Sequence, residues 1–209
     1  MKGLTYRSDG VAYVLTIDQR ASRSGDDLVP DLVRTLNRGH TAERLVRRFE
    51  RTAGDELQGV VSSAQAVVDI TCVLIRSEKW SVGLGIGGVD EPLPRSTRAG
   101  RGAAFVHARA AVERAKSGPH RVGVVGDDAY RAEQVETVLW LLALLLARRT
   151  DGGWEVADLL AQGRTRREVA ERLRISASAV SQRVHVAGIV EEQRARALAA
   201  QLLTREAER

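Results

Sequence analysis

GVAYVLTID, residues 10–18, is the stretch from which the fold unrolls. It is apolar and β-branched and predicts a buried strand. The polar run RASRSGDD (20–27) follows as a loop, and Leu28, Leu32, Val33 and Leu36 then mark a helix, with Pro30 tolerated in its first turn. ERLVRRFERT (43–52) and ELQGVVSS (56–63) flank Ala53-Gly54-Asp55, which reads as a hairpin. Ser63 to Ser77 has the periodicity of an amphipathic helix, and KWSVGLGIGGV (79–89) returns as a strand. The order β-α-β-β-α-β is that of a ferredoxin-like domain. A helix over about 102–117 and a short strand over 121–126 extend it, which closes a first domain at 1–127.

A long helix is predicted from Ala129 to Arg149, and its second half, VLWLLALLLA (138–147), is apolar nearly all round. Such a helix must be buried. Its apolar run is about half of the ~20 residues that span a bilayer, so no membrane insertion is expected. Two partners fit it: a core between two domains, or a second copy of the chain. The favoured reading makes 128–150 a linker and homodimerisation helix carried by Trp140, Leu141, Leu144 and Leu145. Asp151-Gly152-Gly153 is expected to break it, and four shorter helices follow at about 154–162, 166–173, 177–187 and 190–206, forming an all-α domain over 151–209.

Within that domain RREVAERLRISASAVSQRVH (166–185) has the pattern of a helix-turn-helix. Thr165 is placed to cap the first helix, with Glu168 completing a capping box, and Ser176 to cap the second. Val180 and Val184 turn the second helix inward, which leaves Ser178, Ser181, Gln182 and His185 on its outer face, where they suit base edges or phosphates. Arg164, Arg166, Arg167, Arg174 and Arg183 are candidate phosphate contacts. The alternative is a helical hairpin with a core or partner-binding role. Residues 163–185 hold six arginines against two acids, which accounts for most of the chain's net charge of +5. The basic excess therefore sits where neutralising DNA phosphates would need it.

Composition narrows the classes. At 209 residues the chain is long enough for two small domains. A single cysteine, Cys72, excludes an intrachain disulfide framework and fits a reducing cytoplasm. The opening residues lack the basic, apolar and small-residue pattern of a signal peptide, so the expected location is cytoplasmic. Lysines number three (2, 79 and 116) among 32 basic residues. The histidines (40, 107, 120 and 185) and Cys72 show no metal-ligand spacing.

A second constellation lies in the first domain. Its topology brings Asp18, at the end of the first strand, close to Asp55 in the hairpin that enters the third. Two hard carboxylates suit Mg²⁺ held together with substrate phosphates. They equally suit a strand-end cap and a turn aspartate, and both readings stand. Arg20, Arg23 and Ser24 lie just before a helix N-terminus, which favours an anion, and Arg109 on the later helix is a further candidate phosphate contact.

TID at 16–18, GDE at 54–56, GLGIGG at 83–88 and GRGAAFVHARAAVERAK at 100–116 resemble SatD-type proteins. These in turn are distantly similar to the palm-type catalytic domains of class III nucleotidyl cyclases and diguanylate cyclases. The resemblance covers about residues 10–126. It implies a palm-like fold in which Asp18 and Asp55 hold metal ions and Arg109 meets the transition-state phosphate. Three departures oppose turnover: Phe105 stands where cyclases place an asparagine, no lysine is placed for purine recognition, and Ala53-Gly54 replaces a glycine pair. Phe105, on the sheet-facing side of its helix, is expected to narrow the pocket.

The expectation is therefore an α+β chain: a ferredoxin-like, cyclase-like domain that senses a nucleotide or other anion or serves as a scaffold, followed by a helix-turn-helix that binds double-stranded DNA. The alternatives are a metal-dependent nucleotidyl cyclase or transferase, and a SatD-like stress-response adaptor acting through protein contacts.

Overall fold

The computed structural model describes residues 11–22, 25–38 and 43–207. Its elements are β1 (Val11–Gln19), α1 (Val29–Leu36), β2 (Leu45–Arg51), β3 (Glu56–Val61), α2 (Ala64–Ser77), β4 (Trp80–Gly88), α3 (Ala103–Ser117), β5 (Val122–Val125), α4 (Ala129–Ala147), α5 (Asp151–Ala161), α6 (Arg166–Leu173), α7 (Ala177–Val186) and α8 (Ile189–Glu206). The five strands form one mixed sheet in the order β2-β3-β1-β4-β5. All neighbours are antiparallel except β4 and β5.

β1 lies at the centre of the sheet, between β3 and β4, and is buried on both faces because helices cover each of them. Tyr13, Leu15 and Ile17 join one core, with α2, α4 and α8. Ala12 and Val14 join a second core on the other face, under Ala104, Phe105 and Ala108 of α3. The alternation GLGIGG serves both faces. Val82, Leu84 and Ile86 enter the first core, while Gly83 and Gly85 receive α3. A β-carbon on Gly85 would stand 2.1 Å from the Ala104 carbonyl oxygen, and one on Gly83 2.2 Å from the Val112 nitrogen. These glycines let a helix backbone lie directly on the strand. Phe105 belongs to the second core and is not among the residues lining the cleft described below, so it does not narrow that cleft.

The structure places two elements differently from the sequence reading. The long apolar helix ends at Ala147, and Asp151, Gly152 and Gly153 form the first turn of α5 rather than a break. Thr150 is the reason: its side chain accepts from the Gly153 amide and caps α5, while Asp151 complements the helix dipole. The two glycines admit close neighbours, the Arg183 guanidinium and the Arg149 stem. More consequential is α8, which the reading assigned to the C-terminal domain. Ala199, Leu203 and Ala207 lie in the main core, and the Tyr13 hydroxyl donates to the Leu203 carbonyl at 3.2 Å. The last helix thus completes the α/β unit, and α5–α7 form a small excursion with its own core of Val156, Val169, Val180, Val184, Ala187 and Ile189.

α4 is likewise part of the core, with Ala132, Val135, Leu139, Leu142 and Leu146 turned inward. No helix among the described residues is long and apolar enough to cross a membrane. The excursion is fastened at two points. Arg149, with a side chain 1% exposed, donates twice to the Ala187 carbonyl and pairs with Glu192 at 2.7 Å. Arg76 of α2 forms a two-pronged pair with Asp158 of α5 at 2.6 and 2.8 Å. The Trp154 ring lies against both guanidiniums, 3.9 Å from Arg76 and 4.4 Å from Arg149.

Candidate functional sites: a mixed-charge cleft and an arginine-rich helix pair

An open cleft of about 1220 Å³ lies at the end of β1. The register puts Asp18 opposite Glu56 on β3 and opposite Ser81 on β4. α3 runs back along β4, so its last turn reaches the same sheet edge and delivers Lys116. The ammonium lies 3.0 Å from Asp18 and 2.8 Å from Glu113. Burial raises the Asp18 pKa above the usual carboxylate range, outweighing the Lys116 hydrogen bond, and the nearby Asp55 charge adds to the rise. Burial works against charge on Lys116 too, but the hydrogen bonds to Glu113 and Asp18 win and hold its pKa above the ordinary lysine value. Ser22 donates to the Asp55 carboxylate. Gln19 fixes the loop behind, donating to the Asp26 carbonyl at 2.7 Å and accepting from the Leu28 amide at 2.8 Å.

Asp18, Asp55 and Arg20 therefore share one cleft. Arg23 and Ser24 lie outside the described residues. Arg109 is exposed on α3 and does not line the cleft. It stands seven residues before Lys116, about 10 Å along the helix axis. The sequence reading missed Lys116, Lys79, Arg121, Arg51 and Ser81, all in the cleft wall. A signal was present: two of the chain's three lysines flank β4 and α3, at the ends that this topology brings to the tip of β1.

The chemistry of the donor set argues against a resident Mg²⁺. Asp18 is already paired with an ammonium and Asp55 with a hydroxyl donor. A divalent ion on Asp18 would meet the Lys116 charge a few ångströms away. No three histidine, cysteine, aspartate or glutamate side chains gather as an ion site among the described residues. Cys72 is buried, which pushes its thiol up to about 11 and leaves it inert.

The second site is α6 and α7, separated by Arg174, Ile175 and Ser176. The Glu168 amide donates to the Thr165 hydroxyl at 3.3 Å, and the Glu168 carboxylate accepts from the Thr165 amide at 2.6 Å. Those Thr165 donors, the backbone first, hold the Glu168 carboxyl below its usual range. Arg174 adopts the left-handed conformation at φ 54°, which turns the chain, and Ser176 caps α7 by accepting from the Ala179 amide at 3.1 Å. Val180 and Val184 are buried, while Ser178, Ser181, Gln182 and His185 are exposed. Arg164, Arg166, Arg172 and Arg174 are exposed and form no ion pair among the described residues. Arg167 pairs with Glu171 at 3.1 Å. Arg183 folds back onto α5, 3.3 Å from Glu155 and 3.5 Å from the Gly152 carbonyl, so it is engaged inside the excursion.

The four residues assigned to a dimer face divide. Trp140 donates its indole N–H to the Val122 carbonyl at 2.8 Å and meets His120 edge to face. Leu145 packs over Gly188. Leu141 and Leu144 remain, 58% and 46% exposed. No protein-family model, no curated protein and no solved structure matches the chain.

Proposed function

We propose that this protein is a cytoplasmic DNA-binding transcriptional regulator in which α6 and α7 form a helix-turn-helix. One observation carries the reading. α7 buries Val180 and Val184 and turns Ser178, Ser181, Gln182 and His185 to solvent, beside four arginines that form no ion pair among the described residues. Side chains on that face suit major-groove edges, and Arg164, Arg166, Arg172 and Arg174 suit the flanking phosphates. Thr165 and Ser176 stand at helix N-termini, where amides meet a phosphate.

The α/β unit is, on this reading, a ferredoxin-like domain of palm type. The antiparallel order β2-β3-β1-β4 and the meeting of Asp18 with Asp55 support that assignment. Its place in the regulator is to receive an anionic effector. Leu141 and Leu144 would face a second copy, because two recognition helices read paired half-sites one helical turn apart.

Footprinting on genomic fragments tests the central claim. At a protected site Gln182→Ala should weaken binding by about 1–3 kcal/mol and relax base preference locally. Arg166→Ala should weaken binding to every sequence and reduce the salt slope by about one. Unchanged site affinity in Gln182→Ala would place another surface in the groove, and no protected fragment at all would remove the DNA reading.

A further inference from the structure

The charges in the cleft do not cancel evenly. Arg51 is neutralised by Asp27 at 2.6 Å, and Lys116 by Asp18 and Glu113. Arg20, Lys79 and Arg121 line the same cleft and pair with no carboxylate among the described residues. Two of them are held in place by backbone. Arg20 donates to the Glu78 carbonyl at 2.5 Å, and Arg121 donates to the Lys116 carbonyl. Among the described residues the other donors of each guanidinium make no hydrogen bond.

The sheet brings the three together. The Arg20 amide bonds to the Lys79 carbonyl at 2.9 Å, and the Val82 amide bonds to the Arg121 carbonyl at 2.8 Å. The three cations therefore stand on neighbouring chain segments at one sheet edge. With strands about 4.8 Å apart, their backbones fall within about 10 Å of one another. Between them lies Ser81, 1% exposed, lining the cleft, whose hydroxyl makes no hydrogen bond among the described residues.

We infer that the cleft binds a small phosphorylated molecule, its phosphate held by Arg20, Lys79, Arg121 and the Ser81 hydroxyl, its hydroxyl or amino groups held by Asp18 and Asp55. Forked guanidiniums match phosphate oxygens in pairs. Asp18, Asp27, Asp55 and Glu78 line the same cleft and repel a polyanion, so the phosphate belongs to a small ligand rather than to a nucleic-acid backbone. The inference names the effector class of the proposed regulator, and it rests on that reading only for its regulatory meaning.

Calorimetry on the full chain, with chelator present, provides the test. Ribose 5-phosphate and adenosine 5′-monophosphate should bind, while ribose and adenosine should not. Lys79→Gln and Arg121→Gln should each lower affinity at least tenfold, and Arg109→Gln, outside the cleft, should leave it unchanged. Lys79 is exposed, so its variant keeps the test valid even if Arg121→Gln misfolds. Silence with both phosphate compounds, or undiminished affinity in Lys79→Gln, overturns the inference. Displacement of the phosphate compound by a duplex oligonucleotide overturns the small-molecule source. These titrations contain no operator, so a failure of DNA binding in Gln182→Ala or in footprinting leaves their outcome intact.

Discussion

Gly85 shows how one missing side chain positions a site. Its backbone lets α3 descend onto β4, and that descent carries Lys116 to Asp18. Gly85→Ala would drive a methyl group into the Ala104 carbonyl, which belongs to a rigid helix backbone. Overpacking of this kind costs about 1–3 kcal/mol, and thermal unfolding should show the loss. The glycine run was visible in the sequence, but which neighbour it admits was not, because a strand does not record what lies over it. The caps at Thr165 and Ser176 were legible because donor and acceptor sit three residues apart. The Asp18–Lys116 pair spans almost a hundred residues, and no local rule connects its members.

Among elements, the Arg76–Asp158 pair between α2 and α5 is one of the two points that fasten the excursion to the α/β unit. The Arg76 hydrogen bond holds the Asp158 carboxyl below its usual range. A depressed folded-state pKa means that the stabilisation is present above the ordinary aspartate value and disappears as pH falls through the depressed one. Both side chains are partly exposed, so the pair contributes no more than about 1 kcal/mol to global stability. Its effect should instead be local. Asp158→Asn at neutral pH should raise hydrogen exchange in α5 and α7 while β1 stays protected, and acidification of the parent chain should reproduce that pattern. Equal exchange in variant and parent would show that Trp154 and Arg149 hold the excursion unaided. The polypeptide here offers a physical link between the two candidate sites, since Arg76 stands two residues before Glu78, which lines the cleft.

At the scale of the whole molecule, the chain leaves the α/β unit after α4 and returns to it in α8. Leu203 is fully buried in the main core although it lies on the last described helix. Leu203→Ala should therefore cost about 2–5 kcal/mol, a core-sized loss measurable by denaturant unfolding. A terminal helix that merely trailed from a DNA-binding domain would lose far less. Assembly is tested separately. Sedimentation at micromolar concentration should give a dimer for the parent chain and a monomer for Leu141→Glu/Leu144→Glu. A monomeric parent removes the dimer proposal without touching the fold.

The elements themselves were readable residue by residue. Periodicity, caps and turn residues act over a few positions, so the α+β class, the strand and helix order as far as β5, and the two short helices α6 and α7 followed from the chain alone. The assignment of α8 did not follow, because its small and apolar residues suit either core and only packing chooses between them. The mixed cleft was hidden in part: Asp18, Asp55 and Arg20 were named from the chain, but Lys79, Ser81, Lys116 and Arg121 come from three further chain segments, and it is the ladder of β1, β4 and β5 that gathers them at one edge.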